Sequence, residues 1–160
     1  TVGICDDVSA PEILTTVELG WLDPIGGMAT SGWRGRSFSL GIADAVTVLA
    51  KTASQADAAA TLIANAIDLP GSSKVFRQSA SELSPDSDLG ERKVTIDVGV
   101  LSESEKEQAL SNGAETAEGL KNANLLHSAY LSLRGSRRVI SSPVGVQIGS
   151  NSHQLNHIVI

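Results

Sequence analysis

Two side chains in the stretch ADAAAT, Ala56 to Thr61, are of a kind that can do chemistry. Asp57 is a carboxylate and Thr61 a hydroxyl, set four residues apart among alanines. On a helix that spacing puts both on one face. Both offer hard oxygen ligands of the type Mg²⁺ takes. A plainer reading exists for half of the pair. Ser54-Gln55-Ala56-Asp57 has capping-box spacing, with Ser54 as the cap and Asp57 reaching back to it. An acid in the first turn also complements the helix dipole. Capping has no use for Thr61, which suits a helix interior less well than the alanines around it. The residues leave two readings open, helix punctuation and an oxygen pair for a cation.

Other residues qualify as candidates. In GGMATSGWRGR, Gly26 to Arg36, the glycines expose backbone N–H groups, and Thr30, Ser31 and Gly32 can contact an anion. Arg34 and Arg36 can hold a phosphate or carboxylate; as a solvated surface loop they would do neither. The Gly-Lys-Ser/Thr ending of nucleotide-hydrolase loops is absent. Asp44 precedes a β-branched run and suits either a strand end or a place in a site near Asp57. Asp86 and Asp88 have Ca²⁺-like spacing without further ligands at the required positions, and read as a solvated turn. His153 and His157 lack a His-Glu-x-x-His pattern, and His127 beside a strand start reads as structural. Arg134, Arg137 and Arg138 flank a turn, as a solvated cluster or as contacts for an anionic ligand or partner. Cys5 has no neighbouring base in sequence to activate it. Thr1 raises a different chemistry, because an N-terminal Thr can be a nucleophile with its own amine as base. Trimming or Met removal accounts for the same start.

The elements that must position these groups can be read in outline. TVGIC and TTVEL suit strands. Asp23 to Gly32 reads as a turn-rich loop, and Trp33 to Gly41 as irregular. Ala43 to Ala50 reads as a strand, followed by an Ala-rich helix from about Ser54 to Ala66 that Pro70 and Gly71 stop. Ser81 to Lys93 is polar and turn-rich, and Val94 to Leu101 is a strand. Ser102 to Leu126 is helical, with Asn112-Gly113 expected to break it. His127 to Ser142 predicts a hairpin turning on Gly135-Ser136. The tail carries an extended piece and an uncertain end.

A chain of 160 residues is the size of one domain and can bury a core without staples. Aromatics are only 3%, so small aliphatic side chains must do the packing, at close approach. Eighteen acids against 12 Lys plus Arg give a net charge of −6, which disfavours nucleic acid and anionic membrane surfaces as partners. One cysteine allows no intrachain disulfide, and no apolar run is long enough to span a membrane. These features fit a cytoplasmic protein.

The order of Ala29-Thr30-Ser31-Gly32, then Val46-Thr47-Val48, then Ala56-Asp57 with Thr61, resembles the C-terminal half of the ApbE superfamily. Those proteins are flavin transferases that move FMN from FAD to a Ser or Thr of a target protein. GRSFSLGIADAVTVLA and PDSDLGERKVTIDVG resemble a shortened, uncharacterised branch. The resemblance covers Gly26 to Arg138 and implies an α+β fold with a mixed or antiparallel sheet and packed helices. It implies Mg²⁺ at Asp57 and Thr61, and an FAD- or FMN-like phosphate-bearing ligand near Thr30, Ser31, Gly32, Arg36 and Asp44. Two family elements differ. The interval WRGRSFSLGIADA lacks the His-x-x-Asp-Pro-x-Thr-Gly segment of active members, and no Asn-Gly-Gly-Asp motif precedes it. The expectation is one domain or subunit over residues 1–160, the C-terminal part of a larger ApbE-like unit. A separate N-terminal half or partner subunit would complete it in a homo- or hetero-oligomer. The alternatives are a hydrolase matured by cleavage before Thr1 and a non-enzymatic ligand-binding module.

Overall fold

The computed structural model describes residues 2–5, 13–20, 23–141 and 147–150. The elements are β1 (Val2–Cys5), β2 (Ile13–Glu18), β3 (Gly27–Ser31), β4 (Ala45–Ala50), α1 (Ala53–Ala66), β5 (Val75–Ser79), α2 (Ala80–Leu83), β6 (Lys93–Val98), α3 (Glu103–Asn122), β7 (Ser128–Leu133), β8 (Ser136–Ile140) and β9 (Gln147–Ser150). They form three antiparallel sheets, ordered β1-β2-β9, β3-β4-β7-β8 and β5-β6. The fold is α+β, as expected.

Strand alternation sets the layers. Val46, Val48 and Ala50 of β4, with Ala129, Leu131 and Leu133 of β7, share a core with α1 and α3. On the other face Leu49 and Tyr130 pack with Ile4 of β1 and Val17 of β2. The four-stranded sheet is thus covered by helices on one side and by a smaller sheet on the other. Both strands are buried on both faces, which explains their near-continuous apolar runs.

The small side chains do what the composition requires. Ala56, Ala59, Ala60, Ile63 and Ala64 form the buried face of α1, against β3, β4 and α3. α1 runs antiparallel to β4, so it starts beside the end of β4 and finishes beside its beginning. Ile42 N–H donates to the Ile67 carbonyl at 2.8 Å and closes that second end.

Four expectations are corrected. Asp23 to Gly32 is not all loop, because its second half is β3, an edge strand paired with β4 from Gly27↔Ala50 to Ser31↔Val46. Asn112-Gly113 does not break α3, which is continuous over 20 residues. A Cβ on Gly113 would lie 2.2 Å from Ile67 Cγ1, so glycine is what lets α3 pack at this distance. The β7–β8 turn is formed by Arg134 and Gly135, not Gly135 and Ser136, since Leu133 pairs with Ser136. Both turn residues have positive φ, 47° and 81°, the sign pattern of a type I′ hairpin. Finally, Ser81 to Lys93 is not all turn, because it opens inside the single helical turn α2, and β5 lies just before it in a segment for which the sequence predicts no element.

Candidate functional site

Thr52, not Ser54, is the N-cap of α1: its hydroxyl accepts from Gln55 N–H at 3.2 Å. Ser54 lies inside the first turn, and that turn contains no acid. The capping-box reading of Ser54 and Asp57 is therefore overturned, and Asp57 is the helix's fifth residue rather than part of its cap. Asp57 and Thr61 are both exposed on one flank of α1.

Asn65 continues that flank one turn further on. Its Oδ1 accepts from the Ser39 hydroxyl at 3.2 Å and from Leu40 N–H at 2.9 Å. The Ser39 carbonyl in turn accepts from Thr95 N–H of β6 at 2.9 Å. The segment joining β3 to β4 is thereby pinned to α1 on one side and to the β5-β6 ribbon on the other. Gly41 allows the seating, because a Cβ there would lie 2.1 Å from the Ala64 carbonyl oxygen.

The Ala-Thr-Ser-Gly motif is distributed over two faces. Ala29 packs toward the helices, so Thr30 points to the opposite face and Ser31 back to the helical side. Thr30 Oγ1 lies 2.8 Å from Thr47 Oγ1 of β4, a cross-strand hydroxyl pair. Gly32 is buried beyond the strand end, against the Asp44 carbonyl. Arg36 is exposed on the connecting segment.

Asp44 stands just before β4, at the end of the sheet where α1 finishes. Its Oδ1 accepts from Trp33 Nε1 at 3.3 Å and lies 4.0 Å from Arg34 Nε. Arg34 stacks on the Trp33 ring at 5.0 Å from its centroid. The Asp44 Oδ2 accepts from the backbone N–H of Arg134. One carboxylate thus ties the end of β3 and the β7–β8 turn to the start of β4. Asp44 is grouped with Trp33, Arg34 and Arg134, whereas Asp57 is toward the other end of α1.

The same turn carries a feature that sequence reasoning passes over. The arginine cluster expected there divides. Arg138 pairs with Glu107. Arg134 reaches inward, where Nη2 donates to the Val98 carbonyl and Nε is shielded from solvent with no partner. Lys106 Nζ lies 2.6 Å from Glu103 and 3.4 Å from the Arg134 carbonyl. A signal was present in the sequence: Arg-Gly occupies a hairpin turn that Asn-Gly would suit better.

Elsewhere, Glu105 is held down to about 2, chiefly by the Lys74 ammonium, which it contacts at 2.6 Å, and by the Ser102 backbone and hydroxyl. The Ser102–Glu105 pair is a complete capping box on α3. Asp86 and Asp88 are exposed in the turn after α2. Among the described residues no group of three or more His, Cys, Asp and Glu is placed to hold a metal ion. No helix among them is long and apolar enough to cross a membrane. Thr1, His153 and His157 lie outside the described residues.

No curated protein and no solved structure matches the chain. A family model described as "AbpE bacteria" matches residues 1–139, from the first strand into β8. With that much of its length matched, the chain belongs to the AbpE bacteria family.

Proposed function

We propose that this chain binds Mg²⁺ and a phosphate-bearing ligand on the exposed flank of α1, as a relative of the ApbE flavin transferases. The observation that carries the reading is the exposed pair Asp57 and Thr61, one turn apart, with the capping work done by Thr52. Neither side chain is needed to hold the helix, and both are oxygen donors. The family match supports the reading further, since residues 1–139 include every motif on which the ApbE resemblance rests.

The donor set fits a hard cation bound sparingly by protein. Mg²⁺ is commonly held by one or two carboxylates plus substrate phosphate, and it keeps several waters. Asp57 supplies the carboxylate and Thr61 the hydroxyl. The remaining positions fall to water, to the ligand's phosphate and to oxygens of a partner subunit or N-terminal half. When bound there, the ion would polarise a pyrophosphate and stabilise charge developing on it. Arg36 is exposed on the segment pinned beside the flank, and offers a charge-assisted donor to the same ligand. Thr30 and Ser31 face opposite sides of the sheet, so one ligand on one face would meet only one of these side chains. Asp44 is better suited to holding the strand ends together than to contacting ligand.

The test is FAD binding by equilibrium dialysis with and without Mg²⁺, on the native chain and on Asp57→Ala and Thr61→Val. Mg²⁺-dependent binding that both substitutions abolish is expected. Binding indifferent to Mg²⁺ and to both substitutions would overturn the reading. Addition of a Ser/Thr acceptor then separates a transferase, which leaves covalent FMN on it, from a binding module, which does not.

A further inference from the structure

We infer that the cavity between the end of β6 and the β7–β8 turn is another site, for a small organic oxyanion with an apolar body. It has a volume of about 340 Å³ and is lined by Val98, Gly99, Val100, Leu101, Lys106 and Arg134. Two of these are cations and none is an acid. Val98, Val100 and Leu101 supply an apolar wall, with Val100 90% exposed at the rim.

Arg134 differs from the other cations around it. Arg77, Arg138, Lys74 and Lys121 each pair with a carboxylate. Among the described residues no carboxylate pairs with the Arg134 guanidinium; Asp44 accepts only its backbone N–H. Its Nε is shielded and unpartnered, and its single bond, to the Val98 carbonyl, leaves the positive charge uncompensated. Lys106, beside it, is shared with Glu103. The backbone agrees. Arg134 has φ 47°, where Asn or Gly would sit with less strain. The turn therefore holds a guanidinium at a position that folding alone would give to another residue. A carboxylate or phosphate head matches the Arg134–Lys106 pair, and an aliphatic or aromatic body matches the wall.

Titration of the native chain with benzoate and with phenyl phosphate, followed by amide chemical shifts, tests this. Saturable changes at the amides of residues 98–101 and 106 are expected from at least one probe. Benzoate alone would identify a carboxylate ligand, and phenyl phosphate alone a phosphate ester. Arg134→Asn should weaken binding about tenfold or more while the melting temperature is retained or raised. Lys106→Met, which leaves the turn intact, should weaken it as well. The proposal is overturned if neither probe binds up to about 10 mM. It is also overturned if neutral benzamide or inorganic phosphate binds as well as its organic anion, or if either substitution leaves affinity unchanged.

Discussion

Asp57 and Arg134 stand toward opposite ends of the same layered body, and their surroundings differ in kind. Asp57 sits in a stretch where every local preference agrees: alanines favour the helix, Thr52 caps it, and the buried face is made of the smallest side chains. Its carboxylate is exposed and takes no part in the cap. Arg134 sits where local preference is violated, with a long charged residue in left-handed backbone and a shielded, unpartnered donor. A buried donor left without a partner costs about 1–3 kcal/mol. Under the proposed function, the sign at Asp57 is a residue that the helix does not use as its cap. At Arg134 it is a cost carried by the fold that a different residue would remove. These signatures are independent: the first is a pair related by helix spacing alone, and the second needs the backbone angle and the shielded donor that only the fold reveals.

Substitutions at the two regions and around them should differ in the size of their effects. The largest effect is expected at the junction beside Asn65. Gly41→Ala forces a Cβ against the Ala64 carbonyl and should destabilise by about 3 kcal/mol, read as a lowered urea midpoint. At the start of α1 the comparison becomes a pair of variants. Thr52→Ala should cost about 1 kcal/mol as a lost cap, while Asp57→Ala should stay within about 0.5 kcal/mol. If Asp57→Ala costs as much as Thr52→Ala, Asp57 has a structural duty and the contrast fails. Glu105→Gln provides the subtlest measurement. The Glu105 carboxyl is lowered from 4.5 to about 2, so its contribution is present above pH 4.5 and fades as pH falls through about 2. Native and variant melting temperatures should differ most at neutral pH and converge by about pH 2.

The outline of the fold was legible where composition and local periodicity act together. The Ala-rich run gave α1 to within a residue, and the β-branched run gave β4. Elements held by remote partners were not legible. β3 is a short run of mostly small residues, Gly-Met-Ala-Thr-Ser, and becomes a strand because β4 offers it a ladder. The α3 helix passes through Asn112-Gly113 because Ile67, forty-six residues earlier in the chain, fills the space a side chain would need. At the site, Asp57 and Thr61 were readable as neighbours because helix geometry alone relates them. The partners of Asp44 were not, since they come from two separate connections, after β3 and after β7. The true cap was missed because two hydroxyls two residues apart, Thr52 and Ser54, carry the same local signal.

Asn65 has a consequence for motion as well as for architecture. Its side chain holds Ser39 and Leu40, and Ser39 holds Thr95, so one amide clasps a helix, a connecting segment and a ribbon. The Leu40 and Thr95 amides belong to different elements, yet one opening of this clasp would expose both to solvent. The expected outcome is a single unit of local unfolding, read as hydrogen-exchange rates of the two amides that rise together when Asn65→Ala removes the clasp.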